Sequence, residues 1–419
     1  MNLSRQKGSM KRQLLLFLIL HGISSSIFAQ AKIREGWWRV ELIRSDSVRV
    51  PFNFEAKKVN GKLNLFARNA KERIKIDQVS FKKDSVFIQM PVFESRFRGR
   101  QLKNGAIEGE WTRATSTNDW IVPFTATPGI QARFPVIHKS KANISGRWAV
   151  NFVSNDTNDI AAVAEFKQVG TKLTGTFLTR TGDYRYLEGV VNGDSLLLST
   201  FDGSHAYLFT AKILSSQQLE QGHYYAGARS HQLWSAKKDS TAHIPENASA
   251  VYLRPGEERL HFSFQDLNGK KVSINDLRFK NKVVVVQIMG SWCPNCMDET
   301  KFLSDYYIKN RDRGVEMIAL AYEYSEDLER SRKSLTKFKE RFNVQYPMLI
   351  TGARTSDSLR TEKTLPEITP IKMFPTTIFI GKDGRVRKIH TGFNGPGTGE
   401  HYIFFKNEFN QTVDSLLNE

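Results

Sequence analysis

Both cysteines of this 419-residue chain, Cys293 and Cys296, lie in the stretch Gly290-Ser291-Trp292-Cys293-Pro294-Asn295-Cys296. Thiols three positions apart close almost no loop, so a bridge between them adds little chain-entropy stabilisation and the pair points to chemistry rather than stapling. If a helix starts beside Cys293, its unpaired backbone N–H groups and the positive end of its dipole favour a thiolate there, making that sulfur the nucleophile. Cys296 then comes round onto the same face, about 5–6 Å away, within reach of a disulfide. The chemistry is thiol–disulfide exchange, with Cys293 attacking and Cys296 resolving. Pro294 suits a first helical turn, where its missing N–H is not needed. Trp292 would shield one side of the site and offer a surface to a partner polypeptide.

The elements that must hold this pair begin near residue 256. Val283 to Ile288 is a continuous β-branched run typical of a central strand covered on both faces. A helix beside Cys293 should bury Phe302, Leu303 and Tyr306. Val315 to Ala321 predicts another buried strand. Ser325 is then read as the cap of a helix with Leu328, Leu335, Phe338 and Phe342 along one face. Thr376 to Ile380 and Val386 to Ile389 flank Gly381-Lys382-Asp383-Gly384 as a hairpin, and a last helix runs from about Gly399 to Leu417. Strands alternating with helices and closing on a hairpin predict an α/β layer with helices on both faces.

With the cysteine motif, three further stretches resemble the thioredoxin superfamily and, within it, the TlpA-like (ResA-like) exported thiol-disulfide oxidoreductases. They are Leu-Asn-Gly-Lys-Lys-Val-Ser-Ile-Asn-Asp-Leu at 267 to 277, Glu299, and Phe-Pro-Thr-Thr-Ile-Phe-Ile at 374 to 380 with Asp383-Gly384. The resemblance covers about residues 256–419. It implies that Pro375 is a cis-proline whose loop faces the cysteines and pairs with substrate backbone. It also implies that Glu299 is the acid beneath the active site, where burial would raise a carboxyl and let it exchange a proton with Cys296. Trp292, Phe374 and Thr376 are the candidate substrate contacts. Thioredoxins proper carry an acid six residues before the first cysteine; here that position is Gln287, which leaves proton relay to Glu299. The polar stretch Gly352 to Ile368 reads as an insertion. The substrates implied are protein or peptide thiols and disulfides, with a membrane or envelope thiol as electron donor, and neither metal nor dissolved cofactor is predicted. A zinc site would need histidines such as His390 or His401 to converge on the pair. A peroxiredoxin would need Thr and Pro where Gly290 and Val286 stand.

The N-terminal half reads as short strands and turns. Val48, Val50, Phe52, Phe54 and Ala56 alternate with polar residues, and Asn60-Gly61 turns the chain into Leu63, Leu65 and Ala67. A shift of 110 positions lays Gly36, Trp38 and Val40 on Gly146, Trp148 and Val150, and Val59-x-x-Lys62-Leu63 on Val169-x-x-Lys172-Leu173. The expectation is a duplicated all-β region, residues 33–126 and 143–236, each copy an antiparallel barrel or sandwich. A linker at 237–255 and a thioredoxin-like unit at 256–419 follow. His138, His205, His223 and His231 are read as ordinary core or surface residues.

Residues 1–29 read as a secretory signal: Arg5, Lys7, Lys11 and Arg12, an apolar run Leu14 to Leu20, and small residues permitting cleavage after Ala29 or Ala31. An exported, periplasmic chain with no integral membrane segment after cleavage is expected. Those four basic residues account for four of the +18 formal charges. The remaining Lys and Arg are interspersed with acids rather than clustered among stacking aromatics, which argues against nucleic-acid binding. The competing reading is a binding protein whose β-modules carry the main role, with the redox unit as accessory.

Overall fold

Period-2 burial makes the N-terminal half of the computed structural model all β. The structure describes residues 32–153, 160–244 and 250–419, so the leader at 1–29 lies outside it. Among the described residues, the strands from Gly36 to Pro128 form one nine-stranded antiparallel sheet and those from Gly146 to Lys238 another. In each, the first strand lies between the second and the last. The registers repeat at the 110-residue offset: Trp38 faces Phe54 and Val40 faces Phe52, while Trp148 faces Ala164 and Val150 faces Ala162. Each tryptophan indole donates to a carbonyl four residues upstream, Arg34 or Ile144, at 3.0 Å.

The sheets differ in closure. In the second, Lys172–Thr179 pairs with both Ile160–Val169 and Leu187–Asn192, so the strands meet in a ring. In the first, Glu72–Ile76 and Gln78–Lys82 remain as edges. The two regions also pack on each other. Phe52 stacks on Phe201 with ring centroids 4.2 Å apart, and Arg133, buried between them, donates to Asn53 Oδ1 and Ser199 O. The second strand set ends at Lys238, and Leu253 then bridges to Ile368, tying the connecting chain to the C-terminal unit.

That unit is built on a seven-stranded sheet. Val283–Met289, wholly buried, lies at its centre between the parallel strand Val315–Ala321 and the antiparallel strand Thr376–Ile380. Helices α1 (Pro294–Asn310), α2 (Leu328–Phe342) and α4 (Glu400–Asn418) bury Leu303, Phe338 and Phe409 against one face. Right-handed crossovers stepping the same way along a sheet place α1 and α2 on that side. Helices on both faces were expected, but their distribution is uneven: the other face is covered by the chain from Val251 to Phe279 and by the segment around the five-residue α3 (Arg360–Thr364).

The start of α2 also differs from expectation. Asp327, not Ser325, is its cap and accepts from the N–H groups of Glu329 and Arg330, while the Ser325 hydroxyl accepts from Asp327 N. Leu328, expected on the buried face, is 40% exposed because it sits at the solvent-facing first turn. No helix among the described residues is long and apolar enough to cross a membrane, which says nothing of strands.

Candidate active site

The redox motif is the turn that takes the central strand into α1. Gly290 must be glycine, since a Cβ there would lie 2.1 Å from Trp292 Nε1. The folded-back indole donates to Tyr322 O at 2.8 Å and stacks on Tyr324. Ser291 donates its N–H and its hydroxyl to the two oxygens of Glu323, at 2.8 and 2.6 Å. Glu323 is buried, and the loss of water pushes its carboxyl up to about 7.

Cys293 is the N-cap of α1, and its Sγ accepts from Cys296 N at 3.2 Å. A helix N-terminus aimed at sulfur favours negative charge on it. Phe374 O lies 3.6 Å from the same Sγ, and the Phe374–Pro375 bond is cis. Both thiols are free; Cys293 is 6% exposed and Cys296 has no exposure. Burial, the hydrogen bond that its S–H donates to Cys293 and the charge of Cys293 push the Cys296 thiol well up, with Glu299 adding to the effect.

Glu299 follows Cys296 by three positions and is fully buried. Gln287 Nε2 donates to its Oε2 and Thr377 Oγ1 to its Oε1, both at 2.7 Å. These bonds favour the charged form, but burial outweighs them and pushes the carboxyl up to about 7. Gln287 is thus tied to the same acid, its carbonyl oxygen accepting from Thr300 at 3.0 Å.

Of the residues singled out in the sequence, Trp292, Cys293 and Phe374 line one cleft, the fully buried Cys296 supports Cys293 Sγ through its N–H, and Pro375 and Glu299 are buried outside the lining. Thr376 does not line it: its exposure is zero and its hydroxyl donates to Met373 O. His390 lies against Phe405 and His401 pairs with Glu165, both away from the thiols among the described contacts.

Residues 255–389 match the AhpC/TSA family. The thiol-disulfide oxidoreductase ResA of Bacillus anthracis is 30% identical over 134 residues, 32% of this chain and 68% of that protein. The chain belongs to the ResA-like thiol-disulfide oxidoreductases.

ResA of Bacillus thuringiensis subsp. konkukian (strain 97-27) is similarly 30% identical over 131 residues, 31% of this chain, and the match spans 66% of that relative's length. ResA of Bacillus subtilis (strain 168) is 26% identical over 140 residues, 33% of this chain and 69% of the relative. Among solved structures, a thioredoxin-family thiol:disulfide interchange protein from Chlorobium tepidum TLS aligns over 40% of this chain and 99% of its own, at 21% identity and a TM-score of 0.30. The matches to ResA leave the two β-sheets outside them.

Those sheets nevertheless reach this ResA-like site, and sequence reasoning missed every residue by which they do so. Arg185, from the second, donates to Pro294 O at 3.0 Å and pairs with Asp298 of α1 and Glu72 of the first sheet. Asp183 O accepts from Asn295 Nδ2 at 3.4 Å, and Ser204 Oγ donates to Trp292 O at 3.3 Å. From the first sheet, Val92 and Phe93 belong to the same buried apolar cluster as Cys293, Cys296 and Met297. Glu94 accepts from Arg330 and Ser334 of α2, and Arg113 donates to Tyr324 OH. Around Arg185 one guanidinium serves several carboxylates; burial, with Glu72 and Asp183 nearby, pushes Asp298 up to about 7 despite the pairing. The one sequence signal was composition: Gly182-Asp183-Tyr184-Arg185, a two-residue strand and the chain that follows it, has charge and aromatic character without a pattern tying it to residue 294.

Proposed function

We propose that this chain is an exported disulfide reductase, acting on protein or peptide disulfides through a Cys293/Cys296 dithiol. Cys293 thiolate attacks a substrate disulfide, forming a mixed disulfide and releasing one substrate thiolate, which takes a proton. Cys296 gives its proton to Glu299 and attacks Cys293 Sγ, releasing the second substrate sulfur as a thiolate that takes a proton from water, while Glu299 returns its proton to solvent. The substrate gains two electrons and the dithiol becomes a disulfide. A membrane or envelope thiol donor returns those electrons, as an oxidising compartment requires. Phe374 and Pro375 present the backbone edge against which substrate aligns, and Trp292 forms the adjoining wall.

The observation that carries this reading is the hydrogen bond from Cys296 N to Cys293 Sγ at the head of α1, with a buried carboxyl one turn further on. Export rests on the leader-like residues 1–29 and on the direction of the reaction, and the location proposed is the periplasm. The 110-residue offset in sequence, strand starts and register supports an ancestral duplication of the β-region.

The test is the reduction potential of the couple together with capture of partners on Cys296→Ser. A reducing potential and a covalent, thiol-reversible adduct on Cys293 are expected. A potential like that of strong oxidants reverses the direction, and the absence of any adduct removes the exchange mechanism.

A further inference from the structure

The nucleophilic sulfur is hidden behind the chain's own β-regions. The second sheet holds the redox motif through Ser204 to Trp292 O, Arg185 to Pro294 O and Asn295 Nδ2 to Asp183 O. On the first sheet's side, Val92 and Phe93 join the buried apolar cluster that includes the thiols, and Phe93 lies beside Trp292. The protein surface on which a folded partner would rest, around Trp292, Pro294 and Asn295, is therefore already taken.

What remains is a cleft of about 280 Å³ reaching Cys293. Its walls are the second sheet's Tyr184 and Tyr207 on one side and Met373 and Phe374 on the other. That volume lies just below the roughly 300–1,000 Å³ found for small-molecule sites. It admits a cystine sulfur and the residue or two beside it, but not the flank of a folded domain. Lys372 stands exposed on the cleft, with no ion-pair partner among the described residues, and offers a cation to a carboxylate.

We propose that the β-regions act as a size filter, restricting the dithiol to disulfides carried on short, carboxylate-bearing peptides. This rests on Cys293 being the nucleophile, as proposed above. Electrons flow as in that scheme: the peptide disulfide is reduced to two thiols, Cys293 and Cys296 are oxidised, and an external dithiol donor restores them.

The experiment uses the full chain recycled by dithiothreitol, with glutathione disulfide as the short peptide and native insulin as the folded protein. Each rate is divided by that of dithiothreitol alone with the same substrate, which removes intrinsic reactivity. The expected result is a peptide rate at least tenfold above the insulin rate on this scale; a smaller ratio, or the reverse, overturns the filter. If neither substrate is reduced faster than by dithiothreitol alone, the reading of Cys293 itself fails, and the filter with it. Two variants separate access from damage. Thr181→Trp, at the exposed rim of the cleft, should slow glutathione disulfide at least tenfold while leaving the dithiol's reduction potential unmoved. Lys372→Glu should slow it at least fivefold, but not slow a peptide disulfide whose carboxylates are amidated. Unchanged rates in Thr181→Trp remove the cleft as the route, and unchanged rates in Lys372→Glu remove the carboxylate preference.

Discussion

Replacing Glu299 by glutamine separates the energetic cost of a buried carboxyl from its chemical use. Its pKa rises from an ordinary 4.5 to about 7 in the folded chain, because burial outweighs the bonds from Thr377 and Gln287. An acid raised on folding binds protons more tightly in the native state. Its contribution to stability is therefore complete below about 4.5 and is lost as pH climbs through 7. At about 1.4 kcal/mol per pH unit, a shift of roughly 2.5 units is worth about 3 kcal/mol, most of it between pH 5 and 8. Glutamine fits the same space, and both its partners can be kept if its carbonyl oxygen faces Gln287 and the Thr377 hydroxyl turns to accept, at a cost of about 1 kcal/mol. In urea unfolding of the reduced protein, Glu299→Gln should be about as stable as the parent at pH 5 and about 2 kcal/mol more stable at pH 8. A gap that stays flat across this range, or that grows against the variant as pH rises, means the carboxylate is ionised and satisfied, and the relay loses its basis. Rapid-quench measurement gives the other half. The mixed disulfide should form at the parental rate but resolve about 10²–10⁴-fold more slowly, the usual worth of a positioned proton acceptor.

Three other perturbations probe how the site is held. Arg185→Met strands Asp298 and Glu72 in a buried place and should cost about 3–5 kcal/mol; the loss should be smaller at pH 5 than at pH 8, because the abandoned carboxyls can then take protons, and urea unfolding at both pH values reads this. Gly290→Ala forces the Trp292 ring away from Tyr322 O and should cost about 1–3 kcal/mol, with a red-shifted tryptophan emission that an unchanged ring position would not give. Phe93→Ala opens a cavity beside Trp292, in the apolar cluster that includes the thiols, and should cost about 3–5 kcal/mol; alkylation of Cys293 by iodoacetamide should quicken by about tenfold, while an unaltered rate would show that Phe93 does not limit access.

What the sequence made legible was local in the chain. The cysteine spacing, the proline at the first turn and the β-branched run before it each follow from short-range geometry, and the helix begins where they predict, at Pro294. The β-character of residues 36–128 was legible for the same reason, but the single buried face expected of Val48 to Ala56 was not found, since Pro51 and Asn53 are buried along with Val50, Phe52 and Phe54 where the second region packs on this strand. Closure of the second sheet was not, because it depends on Lys172–Thr179 finding partners on both edges. Glu323 was missed although it anchors Ser291, since a buried acid at the end of an apolar strand looks like the start of a surface loop until the loop's position is known. Arg185 lies 109 positions from Pro294 and 113 from Asp298. No periodicity in a single sequence reports a pairing at that distance.

The opening turns of α1 combine both sets of interactions. Positions 293, 296 and 299, three apart, face the cis-proline loop and the buried layer beneath it, so the nucleophile, the resolving thiol and the carboxyl are stacked along one stripe. Positions 294 and 298, four apart, lie on the adjoining stripe, and one guanidinium from the second sheet grips both: the carbonyl of the first and the carboxyl of the second. A helix turn is stiff, because each residue's backbone is bonded to the next turn, so the two stripes cannot shift independently. The β-regions are therefore attached to the same rigid turn that holds the dithiol. Displacing them would carry that turn as a unit, shifting Cys293 Sγ relative to the Phe374 carbonyl it faces, which ties the exposure of the sulfur to its place against the cis-proline loop.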